Sequence, residues 1–351
     1  MRIGIIGLPL SGKTTLFQGL VGNFFKEEEH FAEKLTIHSG NLILEDKRLR
    51  HLAQVFGSKK ITFSELGILD FCFYEKKGKE YFMHSFFQEV DSFVAVVRYF
   101  EYPDLEPPNP LQDIKYIEEG LILRDREIVQ KRMEKIEQEM KKGRKEGEAE
   151  YLVLRKLHQF LEDKKALRDM QLPPAEEKLF HGFKFLSQKP IFFVLNLDER
   201  MGIKEVERVK EIITPEKNNF IITSLRLEKD LLEMDECVRA DFLESFGFRD
   251  SLRERFLSAC LNYLGLVTFF TVKGEEARAW LIDKNTPALK AAGKIHSDIE
   301  RGFIKAEVVN YKDFLNVGSS LGEARKMGVL RMEAKEYIVQ DGDIIDFRFA
   351  L

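Results

Sequence analysis

The stretch GLPLSGKT sets Gly7, Gly12, Lys13 and Thr14 at the spacing GxxxxGK[ST]. Each residue type has a task around a polyphosphate. The glycines let the backbone curl so that successive N–H groups face the phosphates, and the N-terminus of the following helix adds its positive end. Lys13 reaches the β- and γ-oxygens and neutralises charge as a phosphoryl group is transferred, while the Thr14 hydroxyl suits magnesium. The whole loop, Gly7, Leu8, Pro9, Leu10, Ser11, Gly12, Lys13 and Thr14 with the adjoining Thr15, is therefore expected to line a nucleoside triphosphate. Asp70 closes LGILD at a strand end, where a second magnesium ligand usually stands. Thr36, in the expected loop after the first helix, is a candidate third ligand that meets magnesium when a γ-phosphate is present.

Base recognition should follow a later strand. In FFVLNLDER, Asn196 stands where GTPases carry the Asn of NKxD, but Leu197 replaces the Lys and Glu199 replaces the Asp. The bidentate acceptor that selects guanine is not at its usual place, which argues against strict GTP specificity and leaves ATP or GTP as the ligand. Taken alone, an Asn at a strand end is more often a turn residue.

These residues need a scaffold, and the pattern supplies one. A buried strand (2–6) leads into the loop and then a helix with Leu16, Phe17 and Leu20 on one face, closing near Gly22. Short apolar runs at 42–44, 66–73, 93–97 and 191–195 read as further strands of a doubly wound α/β sheet. Val129, Met133, Ile136 and Met140, then Leu154, Leu157 and Leu161 across a polar break at 143–147, predict an antiparallel helical hairpin inserted into that sheet. Its charged surface suits either a partner-docking arm or a solvated, self-paired insertion. From about Gly265 a small α+β module follows, with TFFTVKGEEARAWLI and GFIKAEVV alternating as strands and EYIVQDGDIIDFRFAL read as a hairpin about Asp341–Gly342. The expected domains are 1–118 with 180–264, the hairpin 119–179, and 265–351.

With 351 residues and a formal net charge of −4, the chain has room for several domains and no global attraction to nucleic acid. Cys72, Cys237 and Cys260 form no CxxC pair, so neither a zinc cage nor a disulfide framework is expected, and the thiols read as buried and inert. No apolar run of about 20 residues is present, so neither secretion nor a membrane partner is expected, and the setting reads as cytoplasmic.

Across nearly its whole length the chain resembles the YchF family, the Obg-like ATPases of the translation-factor GTPase class. The resemblance runs through LTIHSGNLILEDKRLRHLAQVF and VDSFVAVVRYFE, and it is strongest in LGLVTFFTVKGEEARAWLI, AAGKIHSDIERGFIKAEVV and KEYIVQDGDIIDFRF, which resemble the family's β-grasp TGS domain. It implies a P-loop domain with a helical insertion, a preference for ATP tied to an NxxE segment matched by Asn196, Leu197 and Glu199, and association with ribosomes or their subunits. RNA contact through the TGS domain or the hairpin is a further expectation. It also implies that Thr36 in LTI is the switch threonine and that Ser224 in ITSLRLE lies in the last base-contacting loop.

Two departures bear on cleavage. The family follows its aspartate with a DxxG turn and a long Gly-rich segment, whereas DFCFYEKKGKEYF is short and lacks that glycine, whose N–H serves the γ-phosphate. The family's loop His has no counterpart in FEYPDLEPPNPLQD, and His84, in another segment, reads as an ordinary surface or strand-paired histidine. A slow ATPase coupled to a ribosomal partner is the leading reading. A nucleotide-binding module that has lost hydrolysis and a GTP-specific GTPase are the alternatives.

Overall fold

The computed structural model describes the chain apart from residues 23–24, 31–34, 74–81, 83, 104, 143–146, 181, 202, 214–218, 233, 235–249 and 351. It divides into two compact units, Met1–Asn41 with Gly67–Phe256, and Leu42–Leu66 with Leu257–Leu351.

The first unit is built on a sheet of strand order β2-β3-β5-β1-β6-β7-β8. Its central strand β1 (Arg2–Gly7) is buried at every position after Arg2, as a strand covered on both faces must be. It runs parallel to β5 (Ser64–Phe73) on one side and β6 (Ser92–Tyr99) on the other, so the chain order reverses about it. β7 (Ile191–Leu197) and β8 (Phe220–Thr223), with helix α5 (Ile203–Ile213) between them in the chain, continue the parallel run. β3 (Leu35–Leu44) and β2 (Lys26–His30) pair antiparallel at the far edge. In such sheets ligands bind outside the carboxyl ends of the strands, where the order reverses. The α/β, P-loop-type sheet expected from the sequence is thus present.

Helix α1 (Lys13–Val21) follows β1 and buries Leu16, Phe17 and Leu20. Helix α3 (Pro110–Lys141) is capped by the Asn109 side chain, which accepts from Gln112 N at 3.2 Å, and Pro110 stands in its first turn. Ile114, Ile117 and Leu121 of α3 join the sheet core, whereas Val129 and Ile136 pack with Val153, Leu154, Leu157 and Leu161 of α4 (Glu148–Glu162). The helix therefore starts nine residues before the expected hairpin boundary at 119, because its apolar stripe serves two cores in succession. Met133 is only partly buried and Met140, one residue from the helix end, is exposed; the seam closes at Ile136. The hairpin's polar break falls mostly outside the described residues.

The second unit holds a mixed sheet of order β12-β11-β13-β9-β10-β4. β9 (Leu266–Lys273) and β10 (Glu276–Asp283) form a hairpin turned at Gly274, and β11 (Phe303–Asn310) lies antiparallel to β13 (Asp343–Phe349) and to β12 (Arg331–Glu333). Two departures from the sequence expectation appear here. The segment 42–66 belongs to this unit: β4 (Lys60–Thr62) pairs parallel with β10, and Leu49, Leu52 and Ala53 of α2 (Lys47–Phe56) are buried with Phe270, Ala277 and Val309. Asp341–Gly342 is a turn, with Gly342 at φ +84°, but the residues before it form no strand; Ile338 makes one isolated bridge to Pro287. The turn is tied down by the Asp341 carboxylate, which accepts from Thr268 N at 3.0 Å and Arg48 Nη1 at 2.6 Å.

Among the described residues, no helix is long and apolar enough to cross a membrane. Within α3, Asp125 is fully buried and accepts from Leu186 N at 2.8 Å and Ser187 N at 2.6 Å. Burial outweighs these donors and pushes its carboxyl up from 3.8 to about 6. Its folded value thus exceeds the unfolded one, so its contribution to stability is greatest below 3.8 and falls as pH rises through about 6. Asp125→Ala should cost about 3 kcal/mol, since two buried N–H groups lose their acceptor. It should also flatten the pH dependence of stability across that window. Denaturant unfolding at several pH values checks both.

Candidate functional site

Strand register brings the expected residues to one rim of the first sheet. Ile5 lies beside Asp70, Gly7 beside Val96, Arg98 beside Asn196, and Asn196 beside Thr223. The loop between β1 and α1 therefore leaves the sheet with Asp70 on one side and Asn196 on the other. Its two glycines are required for different reasons. At Gly7 a Cβ would stand 2.4 Å from Val96 O; at Gly12 the backbone is left-handed, with φ +104°, and a Cβ would stand 2.5 Å from Asn196 Nδ2.

Asn196 is buried, and both ends of its carboxamide are used. Nδ2 donates to Ser11 O at 2.9 Å, and Oδ1 accepts from Leu225 N at 2.9 Å. One side chain thus joins the phosphate loop to the segment after β8. Ser224, also buried, caps α6 (Leu225–Leu232), its Oγ accepting from Leu227 N at 3.4 Å. Leu197 is buried at the end of β7, and Glu199 pairs with Arg226 at 2.9 Å. Behind this loop the Glu228 carboxylate accepts from Thr223 Oγ1, from Leu252 N and from the Arg255 guanidinium of α7 (Leu252–Tyr263). Sequence reasoning did not find Glu228 or Arg255, whose ion pair is formed across 27 residues.

On the phosphate side, Gly12 stands at the N-cap of α1, which has no side-chain cap and no acidic residue in its first turn, as suits an anion. The Lys13 ammonium donates to Gly7 O at 3.1 Å and Leu8 O at 3.0 Å, across its own loop. Leu10 takes φ +60° and is exposed, while Ser11 is buried. Thr14 Oγ1 donates to Asp70 Oδ2 at 2.8 Å, so the two expected magnesium ligands meet directly. Asp70 is fully buried, and its Oδ1 has no hydrogen-bond partner among the described residues.

Thr36 is buried within β3, opposite Glu29 of β2, rather than in a loop. It shares a strand face with His38, two residues on. His38 Nδ1 lies 3.3 Å from Asp70 Oδ2, and that hydrogen bond raises the imidazole pKa against the lowering effect of burial. Cys72 Sγ donates to the same oxygen at 3.2 Å; burial and then the Asp70 charge push its thiol up to about 12. Cys260 is buried and is likewise raised to about 12 by burial, so neither thiol is activated; Cys237 lies outside the described residues. The sequence reading passed over His38 and Cys72 as site residues. The signal was the strand period of two, which puts Cys72 on the face of Asp70.

The shortened segment after Asp70 falls largely at 74–81, outside the described residues. His84 precedes a short 3₁₀ turn, Ser85–Glu89, with its ring 4.5 Å from that of Phe73.

Comparison with known proteins gives a consistent result. The family described as "YchF-GTPase_C: Protein of unknown function" matches residues 266–350. The "Ribosome-binding ATPase YchF" of Bacillus subtilis (strain 168) is 32% identical over 365 residues, 99% of each chain. The protein of the same name from Haemophilus influenzae is 31% identical over 362 residues, again 99% of each. Among solved structures, the Schizosaccharomyces pombe YchF GTPase superposes with a TM-score of 0.79 over 99% of this chain and 97% of that one, at 23% identity.

Asn196→Ala should remove the tie between the two loops, leaving the Leu225 N–H and Ser11 carbonyl without their buried partner. The expected loss is about 2 kcal/mol of stability, read by denaturant unfolding. An unchanged midpoint would show that the carboxamide is dispensable.

Proposed function

Since the chain belongs to the YchF family, we propose that it binds ATP with magnesium, hydrolyses it slowly, and couples nucleotide state to binding a ribosome or ribosomal subunit in the cytoplasm. The observation that carries the nucleotide part is the Asn196 carboxamide joining Ser11 of the phosphate loop to Leu225 beside the base-side segment. The names of the two bacterial relatives support the ATPase and ribosome parts.

Lys13 and the loop amides would neutralise charge on the transferred phosphoryl group, with a positioned water as nucleophile. The Thr14 hydroxyl and Asp70 carboxylate, 2.8 Å apart, are the hard oxygen donors that magnesium takes, and the unpartnered Asp70 Oδ1 leaves capacity for it. Thr36 is the third candidate. When bound, magnesium would withdraw charge from the β- and γ-oxygens. Asn196, Leu197, Glu199 and the Ser224 loop would frame the base; the Glu199 carboxylate is engaged with Arg226, which supports adenine over a guanine clamp. RNA contact is assigned to the second unit or the hairpin. Arg278 over Trp280 and Lys273 over Phe349 offer stacking and charge together.

The sequence departures after Asp70 favour a second reading, a nucleotide-dependent interaction module without cleavage. Titration with ATP, ADP, GTP and GDP, and single-turnover phosphate release with and without ribosomes, tests all of these. ATP and ADP should bind at least about ten-fold more tightly than GTP and GDP, a difference of about 1.4 kcal/mol. Lys13→Ala should weaken ATP binding by about ten-fold or more. Phosphate release no faster than in Lys13→Ala would reject the enzyme, and a clear GDP preference would reject adenine.

A further inference from the structure

An imidazole and a thiol that the nucleotide reading does not use converge on its metal-binding carboxylate. His38 Nδ1 stands 3.3 Å from Asp70 Oδ2, Cys72 Sγ stands 3.2 Å from the same oxygen, and the nitrogen and sulfur are 3.7 Å apart. Three donor atoms of three kinds thus form a small triangle. A tetrahedral zinc ion, with bonds of about 2.3 Å to sulfur, 2.1 Å to nitrogen and 2.0 Å to oxygen, spaces such ligand atoms about 3.3–3.6 Å apart. The triangle's sides, 3.2, 3.3 and 3.7 Å, come within a few tenths of an ångström of that spacing.

Two further observations point the same way. The other imidazole nitrogen, His38 Nε2, is 3.4 Å from Glu27 Oε2, the arrangement in which an outer carboxylate orients a metal-bound histidine. Asp70 is fully buried with Oδ1 unpartnered among the described residues. A purely hydrogen-bonded cluster would account for the contacts to Oδ2. It would account equally for the approach of sulfur to imidazole, which at 3.7 Å is within hydrogen-bond reach, but it leaves the second oxygen of a fully buried carboxylate unsatisfied.

We propose that His38 Nδ1, Asp70 Oδ2 and Cys72 Sγ bind one zinc ion in the nucleotide-free protein, the thiol proton leaving to the buffer as the zinc–sulfur bond forms. Thr14 Oγ1, 2.8 Å from Asp70 Oδ2 and 3.5 Å from Cys72 Sγ, borders the fourth side. Thiolate and imidazole select zinc over magnesium, which keeps to oxygen donors. Both ions claim Asp70, so this pocket holds one or the other.

Cobalt(II) is the probe. Titrated into reduced, nucleotide-free, full-length protein, it should bind at one equivalent with a sulfur-to-cobalt charge-transfer band, and zinc should bleach that band. Cys72→Ser should lose the band while keeping its circular dichroism spectrum and its ATP titration. Glu27→Gln should keep the band and weaken cobalt affinity by about ten-fold. No band in the wild-type protein, or an unchanged band in Cys72→Ser, overturns the proposal. Because cobalt is read without nucleotide, a wild-type chain that shows the band but fails to bind ATP would refute the nucleotide reading alone.

Discussion

The carboxamide of Asn196 stands between two segments 185 and 29 residues away in sequence, donating to the first and accepting from the second. A primary amide is suited to this because it carries a donor and an acceptor on one planar group. Around that group the rest of the rim is constrained. Gly12 can be nothing larger, since a Cβ would strike Nδ2, and Ser224 caps α6 directly before the residue whose N–H the amide accepts. The Glu228–Arg255 pair then fixes α6 against α7 from behind, in a setting buried enough for the pairing to be costly to break. The phosphate loop is thus held by groups distributed across the β7–α7 half of the sheet, and its conformation does not rest on the glycines alone.

The opposite side of the rim is organised by one carboxylate. Asp70 receives Thr14, His38 and Cys72 through a single oxygen, drawn from α1, β3 and its own strand. Such convergence concentrates hard and soft donors on the same atom. Under the two proposals, ligand chemistry would decide which cation prevails: a phosphate chain would add oxygen donors and favour magnesium, whereas without it the imidazole and thiol would favour zinc.

What was legible in the sequence divides along the range of the interactions. GLPLSGKT and the strand before it are local signals and appear where their spacing implied, whereas Asp70 does not close its strand: β5 runs three residues further, to Phe73. Asn196 was legible by position, but its double tie was not, because Ser11 and Leu225 are remote in sequence. Cys72 needed only the strand period of two from Asp70, but His38 required knowing that β3 and β5 present the same face toward α1, a matter of register that a single strand does not encode. For the same reason 42–66 read as part of the first domain: β4 is three residues long, and only its parallel pairing with β10 reveals its allegiance. The Asp-Gly pair correctly announced a turn. It did not announce that the Asp341 carboxylate would be taken up by Thr268 and Arg48, or that the residues before it would form no strand.

Helix α3 belongs to two cores, the sheet's through Ile114, Ile117 and Leu121 and the hairpin's through Val129 and Ile136. Its 32 residues form one unbroken element, about 48 Å long at 1.5 Å per residue. Mechanically that makes it a lever with its fulcrum at the sheet. A tilt of about 5° at the Ile114 end sweeps the far tip through about 4 Å, so a repacking of the sheet too small to disturb any single contact there becomes a displacement comparable to a side chain's reach at the hairpin's end.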